Sequence, residues 1–241
     1  MSQRLGCKTC DSCQVVLDSQ EAYIIRKTKL GKEMHFCSKR CLNKKPHPHD
    51  YEMYITDDEA ATFIQESNAI EGIHFDKETV LDVWRNKRKD IPEIYGHVRA
   101  LRYLIKKVEW ADLDVQMLEK IHRYLMKELL PKSNQGIRKA LVRVGSRLCP
   151  YPIEIRPMLG VWLNKVKSLK NPTEEDIWQT HLAFEYIHPF IDGNGRIGRL
   201  LWLFLRYKFG FSFKYVSSAT KHEEYYPFFD TFNWDKWVES C

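Results

Sequence analysis

The twelve residues His188-Pro189-Phe190-Ile191-Asp192-Gly193-Asn194-Gly195-Arg196-Ile197-Gly198-Arg199 constrain this chain most. They join two stretches of helical periodicity through a tight, glycine-rich turn. Pro189 disfavours helix at the residue before it and so ends the first helix. Gly193 and Gly195 let backbone N–H groups approach an anion with no Cβ in the way. The second helix starts inside the stretch, so its unsatisfied N–H groups and positive dipole end face whatever the turn holds. Arg196 and Arg199 share a face of that first turn and add two charged donors. This arrangement suits a polyphosphate. Asp192 supplies a hard oxygen ligand for magnesium on such a phosphate, and His188 supplies a base that titrates near neutrality. Each residue alone has an ordinary structural reading, but their convergence on one loop argues against coincidence.

The rest of the chain is expected to be mainly helical and to divide near residue 50. From Tyr51 onward apolar residues recur at three- and four-residue spacing, predicting helices at 56–71, 76–88, 93–107, 114–127, 157–169, 174–187, 194–209 and 222–231. The first opens on the capping-box spacing Thr56-Asp57-Asp58-Glu59, and Gly72 stands where its C′ residue belongs. Leu141, Val142, Val144, Ile153 and Ile155 among Gly145, Pro150 and Pro152 predict a short hairpin over 141–156. Ahead of all this lies a cysteine-rich module of residues 1–50, ending in a proline-containing linker, Lys44 to Asp50. Cys10-x-x-Cys13 and Cys37-x-x-x-Cys41 give two close pairs, the layout of a four-thiolate structural zinc site that would staple so small a segment. Cys7 also makes a Cys-x-x-Cys pair with Cys10, so the first pair could be Cys7 and Cys10.

Composition excludes several classes. The 241 residues are 44% hydrophobic, enough to bury a core and too many for a disordered chain. Met1 to Lys8 is polar, so no secretory signal is read. The densest apolar run, Leu200 to Leu205, is too short to cross a bilayer. A soluble cytoplasmic protein with no membrane partner is the expectation. The net charge is +6, and residues 1–50 carry ten basic against five acidic residues. Solvated lysines on a small basic module account for that asymmetry better than a nucleic-acid partner does. No Gly-x-x-x-x-Gly-Lys-Ser/Thr segment follows a strand, so a P-loop enzyme is excluded.

The loop resembles the signature of the Fic family, His-Pro-Phe-x-Asp-Gly-Asn-Gly-Arg-x-x-Arg, at all nine of its specified positions. The resemblance implies a Fic-type helical domain over 51–241, with the hairpin as a flap that positions a target segment. It also implies a protein adenylyltransferase that moves AMP from ATP to a Ser, Thr or Tyr hydroxyl of a target protein. By position, His188 would be the base and Asp192 would hold magnesium. Gly193, Asn194, Gly195 and Arg196 would bind phosphates, with Arg199 reaching the γ-phosphate. The segment Ser67-Asn68-Ala69-Ile70-Glu71-Gly72 resembles the family's inhibitory motif, Ser/Thr-x-x-x-Glu-Gly/Asn. This implies that helix 56–72 is autoinhibitory, with Glu71 paired to Arg199 and obstructing ATP. Residues 35–41 resemble the second half of TRASH/YHS-type treble-clef fingers, favouring Cys10, Cys13, Cys37 and Cys41 as the zinc ligands. Removal of AMP from a target, or transfer of UMP or phosphocholine from another donor, keeps the fold and changes the reaction. A binding module on a Fic scaffold is the non-enzymatic alternative. Self-modification and homo-oligomer formation are left open.

Overall fold

A computed structural model describes residues 24–27, 33–36, 55–107 and 113–240. The first two segments are strands β1 (Ile24–Lys27) and β2 (Glu33–Phe36), paired antiparallel. Cys7, Cys10, Cys13, Cys37 and Cys41 lie outside the described residues, and so does the zinc site proposed for them. Among the described residues no group of three or more His, Cys, Asp or Glu side chains converges to hold a metal. Nor is any helix among them long and apolar enough to cross a membrane.

The remainder is a helical body. Helix α1 (Asp57–Ile70) is opened by Thr56 and Glu59, which satisfy each other's backbone N–H groups in the predicted capping box. It ends at Glu71 with Gly72 at φ +79°, where the Ile73 N–H returns to the Asn68 carbonyl. Helices α2 (Lys77–Asn86), α3 (Pro92–Lys107) and α4 (Val115–Met126) follow, α2 capped by Asp76 and α4 by Asp114. Gly96 sets how closely α3 and α4 approach. A Cβ there would stand 2.1 Å from the Leu125 carbonyl oxygen.

The hairpin is shorter than the sequence predicts. Strands β3 (Arg143–Val144) and β4 (Arg147–Leu148) turn on Gly145. The chain then enters α5 (Pro152–Ser168), not a second long strand. Ile153 and Ile155 are therefore helical. Pro152 at the first helical turn presets φ, and Glu154 accepts the Tyr151 N–H at 2.6 Å, so local capping overrides the β-branched pattern. Helices α6 (Glu174–Ile187) and α7 (Asn194–Lys208) match their expected spans. Ile197 and the run Leu200 to Leu205 are all buried, so α7 is enclosed nearly all round and forms the centre of the core. The last predicted helix is broken in two, a π turn at Lys221–Tyr225 and α8 (Pro227–Thr231), because Pro227 cannot continue the earlier ladder. A short α9 (Trp234–Glu239) follows and buries Trp237.

Candidate active site

The loop between α6 and α7 is pinned by groups whose roles the sequence hides. Phe190 is fully buried and stacks on His122 of α4, with ring centroids 4.1 Å apart and planes at 9°. Burial pushes the His122 pKa down to about 4. The neutral ring faces the Asp192 carbonyl through Nε2 at 3.1 Å, and since a carbonyl only accepts, the proton must sit on Nε2. Asn194 folds inward: its Oδ1 accepts the Phe190 N–H and its Nδ2 donates to the Phe190 carbonyl, both at 2.9 Å. Its side chain thus staples the loop instead of reaching outward for a phosphate. Gly193 stands at φ +82°, and a Cβ on it would also meet Met126 Sδ at 2.9 Å.

Two arginines from the flap side hold the other end. The last turn of α6 has no basic residue of its own, so its carbonyls lack a nearby cation from the helix itself. Arg138, almost fully buried, donates from Nε to the His188 carbonyl at 2.7 Å and from Nη2 to the Pro150 carbonyl at 2.7 Å. Arg147 donates to the Tyr186 and Glu185 carbonyls at 3.1 and 3.3 Å. The flap is thereby tied to the end of α6. That end must adopt a left-handed conformation at His188, φ +50°.

A cleft of about 470 Å³ opens between these elements. Glu71, the flap residues 144–147, His188, Gly195, Arg199 and Tyr226 form part of its wall. Asp192, Gly193, Asn194 and Arg196 are not among the lining residues. Asp192 lies at the mouth of the loop, 56% exposed, with Oδ1 accepting the Gly193 N–H and standing 3.5 Å from Arg196 Nη2. Arg196 is buried, and its Nε and Nη1 have no hydrogen-bond partner among the described residues. No side chain among the described residues caps the N-terminus of α7, which leaves its first N–H groups for an anion.

His188 lies against the cleft with its pKa lowered to about 4. Burial is the main cause, with Arg147 and Arg138 adding to it and the Glu185 carbonyl and Glu71 opposing. Nδ1 faces the Glu185 carbonyl at 3.4 Å, so in the neutral ring the proton belongs there. Nε2 is then the acceptor. A neutral ring at neutral pH, able to take up a proton at Nε2, results.

Arg199 is the most heavily bonded group of the site. Nε donates to Ser67 Oγ at 2.9 Å, Nη2 to the Ser67 carbonyl at 2.8 Å and to Glu71 Oε1 at 2.6 Å, and Nη1 to Tyr225 Oη at 3.3 Å. Burial alone would raise the Glu71 pKa, but the charge and hydrogen bond of Arg199, with help from Arg196 and His188, hold it below the ordinary carboxylate value. A glutamate at the negative end of its own helix is thus stabilised by a cation from α7. The structure brings Ser67, Glu71, His188, Gly195 and Arg199 together across more than 120 residues of chain.

A helical fold whose central helix begins in an anion-receptive loop, with a neutral histidine at the loop's other end, defines a candidate phosphate-binding site. Residues 112–205 match the model of the Fic/DOC family. Over 140 residues it is 29% identical to the Protein adenylyltransferase Fic of Culex quinquefasciatus, a match covering 55% of this chain and 28% of the relative. Against the protein of that name from Drosophila melanogaster the identity is 27%, covering 56% of this chain and 28% of the relative. The matched region is thus little more than a quarter of these curated relatives' length. In fold, the chain is similar to Fic-1 (residues 134–508) from C. elegans, TM-score 0.59 at 19% identity, over 83% of this chain and 63% of that one. It is equally similar to a Fic-domain-containing signaling protein from Bacteroides thetaiotaomicron, TM-score 0.59 at 21% identity, over 76% of both chains.

Proposed function

We propose that this chain is a protein adenylyltransferase that transfers AMP from ATP to a hydroxyl of a target protein, and that Glu71 restrains it. The observation carrying this reading is the meeting, on one cleft, of a neutral His188 and of Arg199 and Gly195 from the uncapped start of α7. His188 Nε2 takes the proton of a Ser, Thr or Tyr hydroxyl. The freed oxygen forms a bond to the α-phosphorus, the bond from that phosphorus to the bridging oxygen breaks, and pyrophosphate leaves with the electron pair. The N–H groups of α7 and the guanidinium of Arg199 face the charge that builds on the phosphates.

Magnesium fits this site as a partner of substrate and not as a caged ion. Magnesium on a nucleotide needs only one or two protein carboxylates, the phosphates and water supplying the rest. Asp192, half-exposed beside the loop, would be that carboxylate. The ion would neutralise phosphate charge during transfer. The four cysteines Cys10, Cys13, Cys37 and Cys41 are proposed as a structural zinc site on their spacing alone.

The Glu71–Arg199 pair supports autoinhibition. The carboxylate occupies a donor of Arg199 on the wall of the cleft and places negative charge where a terminal phosphate would approach. The test is incorporation of label from ATP marked at the α-phosphate into protein of a cell lysate, with His188→Ala as control. Retained α-label that needs His188 supports the transfer. If label is retained from the γ-position instead, the reaction is a kinase and the reading is wrong.

A further inference from the structure

Glu185 is absorbed by none of this, yet it lines the same cleft. It lies on the last turn of α6, one turn ahead of His188, at the negative end of its own helix. Only 7% of it is exposed, and its Oε1 is buried with no hydrogen-bond partner among the described residues. A buried carboxyl without a partner costs about 1–3 kcal/mol, so its retention in a site calls for a reason. Its position supplies one. A Cβ on Gly198 would stand 2.0 Å from Oε1, so the carboxyl packs directly on the first turns of α7, beside the Arg199 and Gly195 that face the anion.

The groups around Glu185 come from five elements. His181 shares its helix and touches the same glycine. Arg199 faces it from α7, Glu71 from the end of α1, Arg147 and Cys149 from the flap, and Tyr225 from the π turn. His181 is neutral, its pKa brought down to about 3 by burial, while burial raises Cys149 and Tyr225, which stay protonated. The charged neighbours are therefore Arg199, Arg147 and Glu71. Arg199 is occupied by Glu71, and Arg147 by backbone carbonyls. Burial is the main influence on Glu185, with Glu71 in the same direction and the two arginines opposing, and its pKa is pushed up to about 8.

We propose that Glu185, in its acid form, is a phosphate-binding residue of the cleft, donating a hydrogen bond to a phosphate oxygen of the bound nucleotide. The proposal rests on the nucleotide reading above. A carboxylic acid beside an anion site is a donor, and the same group ionised would repel the ligand. When a nucleotide replaces Glu71 on Arg199, negative charge near Glu185 increases and favours its proton. Binding therefore takes up a proton at pH values where the free protein has lost it.

The test measures magnesium-ATP binding by calorimetry on Glu71→Gly protein between pH 7 and 9.5, in buffers of different ionisation enthalpy. With Glu185 present, affinity falls with rising pH, approaching about tenfold per pH unit, and a proton is taken up. Adding Glu185→Gln keeps a donor, so binding stays tight and flat with pH and the proton uptake vanishes. Adding Glu185→Met removes the donor and weakens binding roughly tenfold at every pH. Methionine binding as tightly as glutamine, or pH dependence and proton uptake that persist in Glu185→Gln, would overturn the proposal and leave the nucleotide reading standing. Absence of magnesium-ATP binding by the Glu71→Gly protein itself would overturn both. Should Glu185→Met fail to fold, the proton uptake with Glu185 in place decides alone.

Discussion

Replacing Glu71 by glycine tests the proposed autoinhibition with little disturbance elsewhere. Glu71 sits at the C-cap of α1 with φ −81° and ψ 6°, a conformation glycine adopts without strain. Arg199 keeps its bonds to Ser67 Oγ, the Ser67 carbonyl and Tyr225 Oη, so the guanidinium stays in place when the carboxylate goes. What is lost is one charge-assisted hydrogen bond at 2.6 Å that a terminal phosphate must displace. Such bonds contribute about 1.5–3 kcal/mol. At about 1.4 kcal/mol per decade this is roughly 10- to 150-fold, and Glu71's one-third solvent exposure favours the lower half of that range. The assay is initial-rate AMP transfer from α-labelled ATP over a range of nucleotide concentrations, comparing wild type, Glu71→Gln and Glu71→Gly. Glutamine loses the charge and keeps the shape, so it falls between the other two. A kcat/KM for Glu71→Gly within twofold of wild type, in a preparation whose activity still requires His188, would refute the reasoning.

Lys221 and Tyr226 bond the Ile70 carbonyl at 2.9 and 3.3 Å, meeting the end of α1, which has no basic residue in its last turn. Lys221→Met removes a cation worth about 0.3–1 kcal/mol at a helix terminus. It is expected to raise transfer roughly two- to fivefold in wild type and not at all in Glu71→Gly; an equal rise in both backgrounds would show that Lys221 acts elsewhere. Phe190→Ala empties a fully buried site and strips the stacking partner of His122. Chemical denaturation should show a loss of about 3–5 kcal/mol. Histidines 122, 181 and 188 are held neutral, at about 4, 3 and 4, against an ordinary value of 6.5. Below pH 6.5 the unfolded chain gains protons that the folded one refuses. The stability that depends on these three neutral histidines is therefore complete above that pH and is lost as pH falls toward 4. Melting temperatures that stay level from pH 7 to 4.5 would contradict that burial.

How much of this the sequence discloses depends on how local each cause is. The capping box at Thr56, the span of α6 and the start of α7 follow from residues within one turn of each other, and the structure places them within a residue of expectation. The hairpin expected over 141–156 is present only at 143–148, because the same Ile153 and Ile155 satisfy a strand pattern and the first turn of a helix. Pro152 at the first helical turn and the bond from the Tyr151 N–H to Glu154 decide between them. Asn194 reads as a phosphate ligand by position, while its buried amide closes on Phe190. His122 lies some seventy residues from the loop it supports, and nothing in its neighbourhood distinguishes it from a core histidine.

The site's charges show why the remainder was illegible. Helices α1 and α6 both end at the cleft, and neither carries a basic residue in its last turn. Taken singly, each would be judged a poorly terminated helix, and Glu71 and Glu185 would be judged carboxylates at the wrong pole. In the fold the missing cations arrive from elsewhere: Arg199 and Lys221 at the end of α1, Arg138 and Arg147 at the end of α6. The same four residues that complete these helices thereby tie Glu71, the β3–β4 hairpin and His188 to one another. A ligand that claims Arg199 competes with the termination of α1 as well as with Glu71. Occupancy of the cleft and order at the end of α1 are therefore coupled through Arg199.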